Sequence, residues 1–178
     1  MPRTDRSTSS SDRPDRPDRP DANTRILAGF RILLGALWIS NLGWKEPPEF
    51  GALKNFTSLA VSHPVWSPYS SLVENVILPN FTPFGWFTLL AEAALGAFLL
   101  IGLGTRFWAL VGAAMSVAIT LSVIKAPHEW PWAYYLMIGA HLAVFASAAG
   151  RTWGLDGLVR PVLESRQGRV AKLLRKAV

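Results

Sequence analysis

The stretch "GWFTLLAEAALGAFLLIGLGTR", residues 85–106, decides the fold. It is apolar over the roughly 20 residues needed to cross a ~30 Å hydrocarbon core, yet it carries one carboxylate, Glu92, near its middle. A charged side chain at that depth costs about 2.5–3.5 kcal/mol on insertion scales, so such residues face protein or water and are paired. What pairs with Glu92 is therefore the question on which any function turns.

Outward from this stretch, four apolar runs cover about 26–44, 84–104, 107–125 and 132–149. In lipid every backbone polar group must be satisfied within its own segment, so four such runs imply an all-α, polytopic four-transmembrane-helix bundle. A soluble bundle would show polar stripes that these runs lack. The 178 residues fit one domain, and the apolar half of the composition is concentrated between residues 26 and 149. The expected divisions are a tail over 1–25, a membrane domain over 26–158 with an outside loop over 45–83, and a basic segment over 159–178.

The chain has no cysteine, which excludes disulfide exchange, iron–sulfur clusters and thiolate metal sites within it. Its net charge of +6 could suggest nucleic acid, but the charge distribution argues otherwise. The tail holds Arg3, Arg6, Arg13, Arg16, Arg19 and Arg25, the turn after the second run holds Arg106, and the C-terminal segment holds seven more basic residues. Only Lys45, Lys54 and Lys125 fall on the other side, with Arg31 inside the first run. The positive-inside rule then places both termini in the cytoplasm of a multi-pass protein of the cell membrane.

The tail repeats Asp-Arg-Pro and has almost no apolar residue, so it is expected to be disordered. It does not read as a signal peptide, and the first run is expected to be retained. The 39-residue outside segment is too long for a plain connector. Helical spacing over 50–62 and 69–78, punctuated by prolines, predicts two short helices on or dipping into the outer membrane surface. Trp66, Tyr69, Trp86, Trp130, Trp132, Tyr134 and Tyr135 would form an interfacial aromatic belt there. At the C-terminus, Val170, Leu173, Leu174 and Ala177 share one helical side amid basic residues, a pattern suited to an amphipathic helix on anionic lipid, the alternative being a solvated tail.

Arg31, Gly35, Trp38, Leu42 and Lys45 share one face of the first helix, with Asn41 at its edge. Gly85, Thr88, Glu92 and Gly96 share one face of the second, and Ala109, Ala113, Ser116 and Thr120 one face of the third. Small residues aligned in this way let helices approach, so these faces should point inward. At 1.5 Å per residue, Glu92 and His141 both lie roughly 12–13 Å below the outer ends of their helices, with Arg31 roughly 7–8 Å deeper. His141 and Arg31 are thus the candidate partners of Glu92, while Lys45 and Asn41 lie nearer the outer mouth. A Glu–Arg pair can simply fix helix register, and a lone membrane His can simply pack. The functional alternative is a buried acid–base group, Glu92 with His141, exchanging protons with a bound redox molecule such as a quinone. Arg31, Trp38, Asn41 and Lys45 would then contact that ligand. A bis-His haem is excluded because His63 and His128 lie in loops, and no metal-ligand spacing or phosphate-binding glycine loop is present.

The run "RILLGALWISNLGWKEP", the run "LLAEAALGAFLLIGLGTRFWAL", the closing "AAGRTWGLDGL" and the loop stretch "HPVWSPYSSLVENVILPNFTPFG" together resemble the DoxX/DoxD family of small four-helix membrane proteins over about residues 25–158. The resemblance implies a membrane subunit of quinone-linked oxidation, in one named case the small subunit of thiosulfate:quinone oxidoreductase, with a redox partner subunit and quinone as substrate. By position it carries over Arg31, Lys45, Glu92, Arg106 and Asp156, of which Arg106 and Asp156 are expected to serve structure or topology; His141 belongs to no family motif. The alternatives are a non-enzymatic scaffold that docks a soluble redox partner and, less well supported for want of inverted repeats or broken helices, a small-solute or proton transporter.

Overall fold

The computed structural model describes residues 22–147, 149–166 and 168–178. The long helices are α1 (Ala22–Ser40), α4 (Phe81–Ile101), α5 (Thr105–Val123) and α6 (Pro131–Ser147), and the shorter ones are α2 (Gly51–Ser62), α3 (Ser67–Leu72), α7 (Asp156–Glu164) and α8 (Arg169–Ala177). Among the described residues there is no strand, so the fold is all-α. Among the described residues three helical stretches are long and apolar enough to cross a membrane: Ala22–Ser40, the continuous run Ser67–Ile101, and Thr105–Val123. The 17-residue α6 packs along α5 and also touches α1, completing a bundle of four long helices.

The inward faces follow the small-residue pattern. Arg31, Gly35, Trp38 and Lys45 are buried, as are Gly85, Glu92 and Gly96, and Ala109, Ala113, Ser116 and Thr120; Leu42 and Thr88 are half-buried. One apolar core joins Leu34 and Trp38 of α1, Leu95 and Leu99 of α4, Ala109 of α5 and Val144 of α6. A second gathers Phe50, Leu53 and Phe81 where α2 meets the start of α4. The outward faces stay apolar, with Leu33, Leu37, Phe87, Leu90, Leu110 and Leu136 each more than half exposed, as a lipid-facing surface requires.

Several boundaries differ from expectation. Residues 1–21 of the expected disordered tail lie outside the described residues, while Ala22–Arg25 form the first turn of α1, because backbone hydrogen bonding carries a helix past the end of its apolar run. At its other end α1 stops at Ser40 instead of about residue 44, and Asn41–Trp44 turn away. The short helix expected over 69–78 is not separate from the second long helix. From Ser67 the chain runs through a π-helical turn at Val73–Ile77 and a 3-10 turn at Leu78–Asn80 directly into α4. Pro79 lies in the 3-10 turn and Pro83 in the first turn of α4, so both fall where the run changes its helical type. The basic segment is divided between α7 and α8.

Helices α1 and α4 cross at Gly35 and Gly96. A Cβ on Gly35 would lie 2.8 Å from the Leu100 nitrogen and 2.9 Å from the Gly96 oxygen, whereas a Cβ on Gly29, earlier in the same helix, would meet nothing within 4 Å. Gly35→Ala is therefore expected to destabilise the bundle by about 1–3 kcal/mol through overpacking. Gly29→Ala is expected to be neutral or slightly stabilising through helix propensity. Thermal unfolding of the two variants in detergent, followed by circular dichroism, checks the contrast.

Candidate functional site

A cavity of about 540 Å³ lies among the turn that follows α1 and helices α2, α3, α4, α5 and α6, a size typical of small-ligand sites. Its walls are mostly apolar and aromatic, including Trp44, Phe56, Phe84, Met115 and Met137. The polar groups that reach it are Asn41, Lys45, Thr57, Tyr69, Thr88, Glu92, Ser122 and Tyr134.

Glu92 is 3% exposed, and its partner is Lys45, whose Nζ lies 2.6 Å from Glu92 Oε2. This corrects the expectation that His141 or Arg31 would be the partner of Glu92, with Lys45 nearer the outer mouth. The early end of α1 is the cause. With the helix finished at Ser40, the following turn carries Lys45 back over the bundle, where its side chain is equally buried. Lys45 Nζ also donates to the Asn41 carbonyl at 2.9 Å and lies 4.4 Å from the centre of the Trp44 ring. Trp44 Nε1 in turn donates to Asn41 Oδ1 at 3.1 Å. The turn thus packs its own polar atoms around the ammonium.

Of the residues expected to form the site, the structure brings Asn41, Lys45 and Glu92 to the cavity and leaves Arg31, Trp38 and His141 outside its lining. Trp38 Nε1 donates to His141 Nε2 at 2.8 Å. An indole nitrogen can only donate, so this contact makes Nε2 the acceptor and puts the ring proton on Nδ1, which donates to the Met137 carbonyl at 2.7 Å. Both imidazole nitrogens are occupied, and the ring fills the space left by the missing side chain of Gly112.

Arg31 sits at the opposite end of the bundle. Its Nη2 donates to the Trp153 carbonyl at 2.9 Å, and a side chain on Gly102 or Gly154 would overlap its guanidinium. Gly102 also ends α4 with a φ of 67°, so this position needs glycine twice over. Asp156 supplies opposing charge to Arg31 and caps α5: its Oδ1 accepts from the Gly104 amide at 2.6 Å and its Oδ2 from the Thr105 amide at 2.9 Å. Arg106 Nε donates to the Phe145 carbonyl at 3.2 Å, tying the start of α5 to the end of α6.

Sequence reasoning missed Thr57, Tyr69, Ser122 and Tyr134 as cavity residues. Tyr69 and Tyr134, expected in the aromatic belt, both line the cavity, and the Tyr69 hydroxyl lies 2.9 Å from Ser122 Oγ of α5. The belt reading was available from aromatic content alone, whereas the inward turn of Tyr69 depends on α3 being continuous with α4.

Residues 55–176, more than half of the chain, match the family described as TQO small subunit DoxD. No curated protein and no solved structure matches.

Asp156→Asn keeps the shape of the cap but loses its charge, and Asp156→Ala removes both acceptors. Expected losses of stability are about 1 kcal/mol for the first and about 2–3 kcal/mol for the second, in line with hydrogen bonds to a charged group at a helix start. Equilibrium unfolding in mixed detergent measures both.

Proposed function

The chain belongs to the DoxD family, and from that premise we propose that it is the membrane subunit of a quinone-linked oxidoreductase fed by a sulfur compound such as thiosulfate or a thiol. The observation that carries this reading is a carboxylate, Glu92, held in the wall of an apolar, aromatic cavity by a buried lysine at 2.6 Å. A quinone headgroup is a flat apolar ring with polar oxygens, and its reduction takes up two protons with two electrons. With no cysteine in the chain, the electrons come from a partner subunit. The role left to this chain is to bind and orient the ring, exclude water and handle protons at Glu92, with Lys45 fixing the carboxylate and Asn41 at the rim. Trp38 and His141 support the adjoining core, and Arg31, Arg106 and Asp156 hold the other end of the bundle together.

Four crossings of the cell membrane with cytoplasmic termini fit the charge distribution, and they put the Arg31–Asp156 end inside and the cavity in the outer half. On the inner side α8 exposes Val170 and Leu173, each more than half exposed, next to Arg169, Lys172 and Lys176. That face suits the anionic leaflet of the membrane.

Glu92→Gln is expected to lower quinone-dependent activity of the assembled complex about 10²-fold or more, the usual weight of a positioned acid–base group, while membrane insertion and protein amount stay unchanged. Undiminished turnover in that variant would show that Glu92 takes no part in the chemistry. Lys45→Met strands the carboxylate and is expected to cost about 3–5 kcal/mol of stability, read as a lowered melting temperature that a second change, Glu92→Leu, restores.

A further inference from the structure

Four of the five hydroxyl groups in the cavity wall, those of Thr57, Tyr69, Ser122 and Tyr134, direct their protons into the protein. Thr57 Oγ1 donates to the Leu53 carbonyl at 2.8 Å, and Ser122 Oγ donates to the Ala118 carbonyl at 3.0 Å. Tyr69 Oη lies 3.1 Å from the same Ala118 carbonyl and 2.9 Å from Ser122 Oγ, so the two hydroxyl protons are shared among these three oxygens, and Tyr134 Oη donates to Glu129 Oε2. A hydroxyl has one proton and two lone pairs, so what each of these groups still offers a ligand is an acceptor. The ammonium of Lys45 has three protons and three neighbours to receive them: the Asn41 carbonyl, Glu92 Oε2 and the face of Trp44. Among the described residues no donor other than Lys45 reaches the Glu92 carboxylate, which as an anion can only accept. The donors that remain are the Thr88 hydroxyl and the amide nitrogen of Asn41, and Asn41 lies at the exposed rim. The lining is therefore rich in acceptors and poor in donors.

The two redox forms of the ligand differ in this property. A quinone presents acceptors at both ring oxygens, whereas its hydroquinone presents an O–H donor at each. We propose that the cavity binds the hydroquinone in preference to the quinone, because Thr57, Tyr69, Ser122, Tyr134 and the Lys45-held Glu92 leave acceptors facing the ligand. The inference rests on the quinone reading of the site and adds its redox-state selectivity. A site built to receive a hydroxyl proton rejects the analogue without one, since its own acceptors are then left desolvated and unpaired. Here a preference of at least tenfold is expected. For a two-electron couple each tenfold in relative affinity raises the potential of the bound ligand by about 30 mV. The site would thus make its quinone easier to reduce and would hold the reduced product.

The test titrates the purified full-length protein in detergent with a short-tailed benzoquinone and, under argon, with its hydroquinone, by calorimetry. The expected result is a Kd at least tenfold lower for the hydroquinone. Glu92→Gln replaces one acceptor by a donor and should bring the ratio below threefold, chiefly by tightening the quinone. Tyr69→Phe should weaken the hydroquinone alone, and circular dichroism confirms that both variants are folded. Equal or tighter binding of the quinone by the wild type overturns the selectivity while leaving the quinone site standing. A preference unchanged in both variants overturns its assignment to this wall. Failure of both forms to bind overturns the selectivity and the quinone reading together.

Discussion

A carboxylate inside an apolar helix has to meet a positive charge, and the path of the chain between α1 and α2 is shaped by that demand. Lys45 answers Glu92 from outside the regular helices, on a turn whose own carbonyl and indole ring surround the ammonium. The return of the chain is then fixed by Phe50, fully buried in a left-handed backbone conformation, whose ring packs where Gly85 has no side chain. Helix α2 follows from this anchor and settles against α5 and α4. The cavity is the space left between these elements, so ligand site and ion pair come from one folding constraint.

The other end of the bundle is built on different physics. Arg31 lies over the C-terminus of α4, where the helix dipole favours a cation, and Asp156 accepts the first amides of α5, where the dipole favours an anion. The two Asp156 oxygens complete the first turn of α5, and Arg31 Nη2 is held by the Trp153 carbonyl. The protein thus separates its buried charges into two nodes, one in the cavity wall and one at the ends of α4 and α5.

The inward faces of α1, α4 and α5 were legible because small and polar residues repeat with the period of a helix, and burial of Gly35, Glu92, Ser116 and Thr120 follows from spacing alone. The partner of Glu92 was not legible. Depth arithmetic treats helices as straight rods of known length, and an error of a few residues at the end of α1 placed Lys45 at the mouth instead of on the carboxylate. The pairing of Trp38 with His141 was hidden for a related reason: it needs the rotation of two helices 103 residues apart in the chain, which periodicity within one helix cannot supply. Tyr69 escaped because its place in the wall depends on a continuous passage from α3 into α4 through two prolines that read as breaks. The membrane character and the single acidic residue at depth were plain in one 22-residue stretch; the geometry around that residue came from turns.

Asp156 is the first residue of α7 and also the cap on α5. One side chain therefore rivets the C-terminal helices to the start of a helix whose far end carries Ser122 into the cavity wall. The 19-residue α5 is an uninterrupted helix that joins this rivet to the cavity wall. A partner that grips the C-terminal helices would hold a lever on the ligand site at the other end of the bundle without ever approaching it.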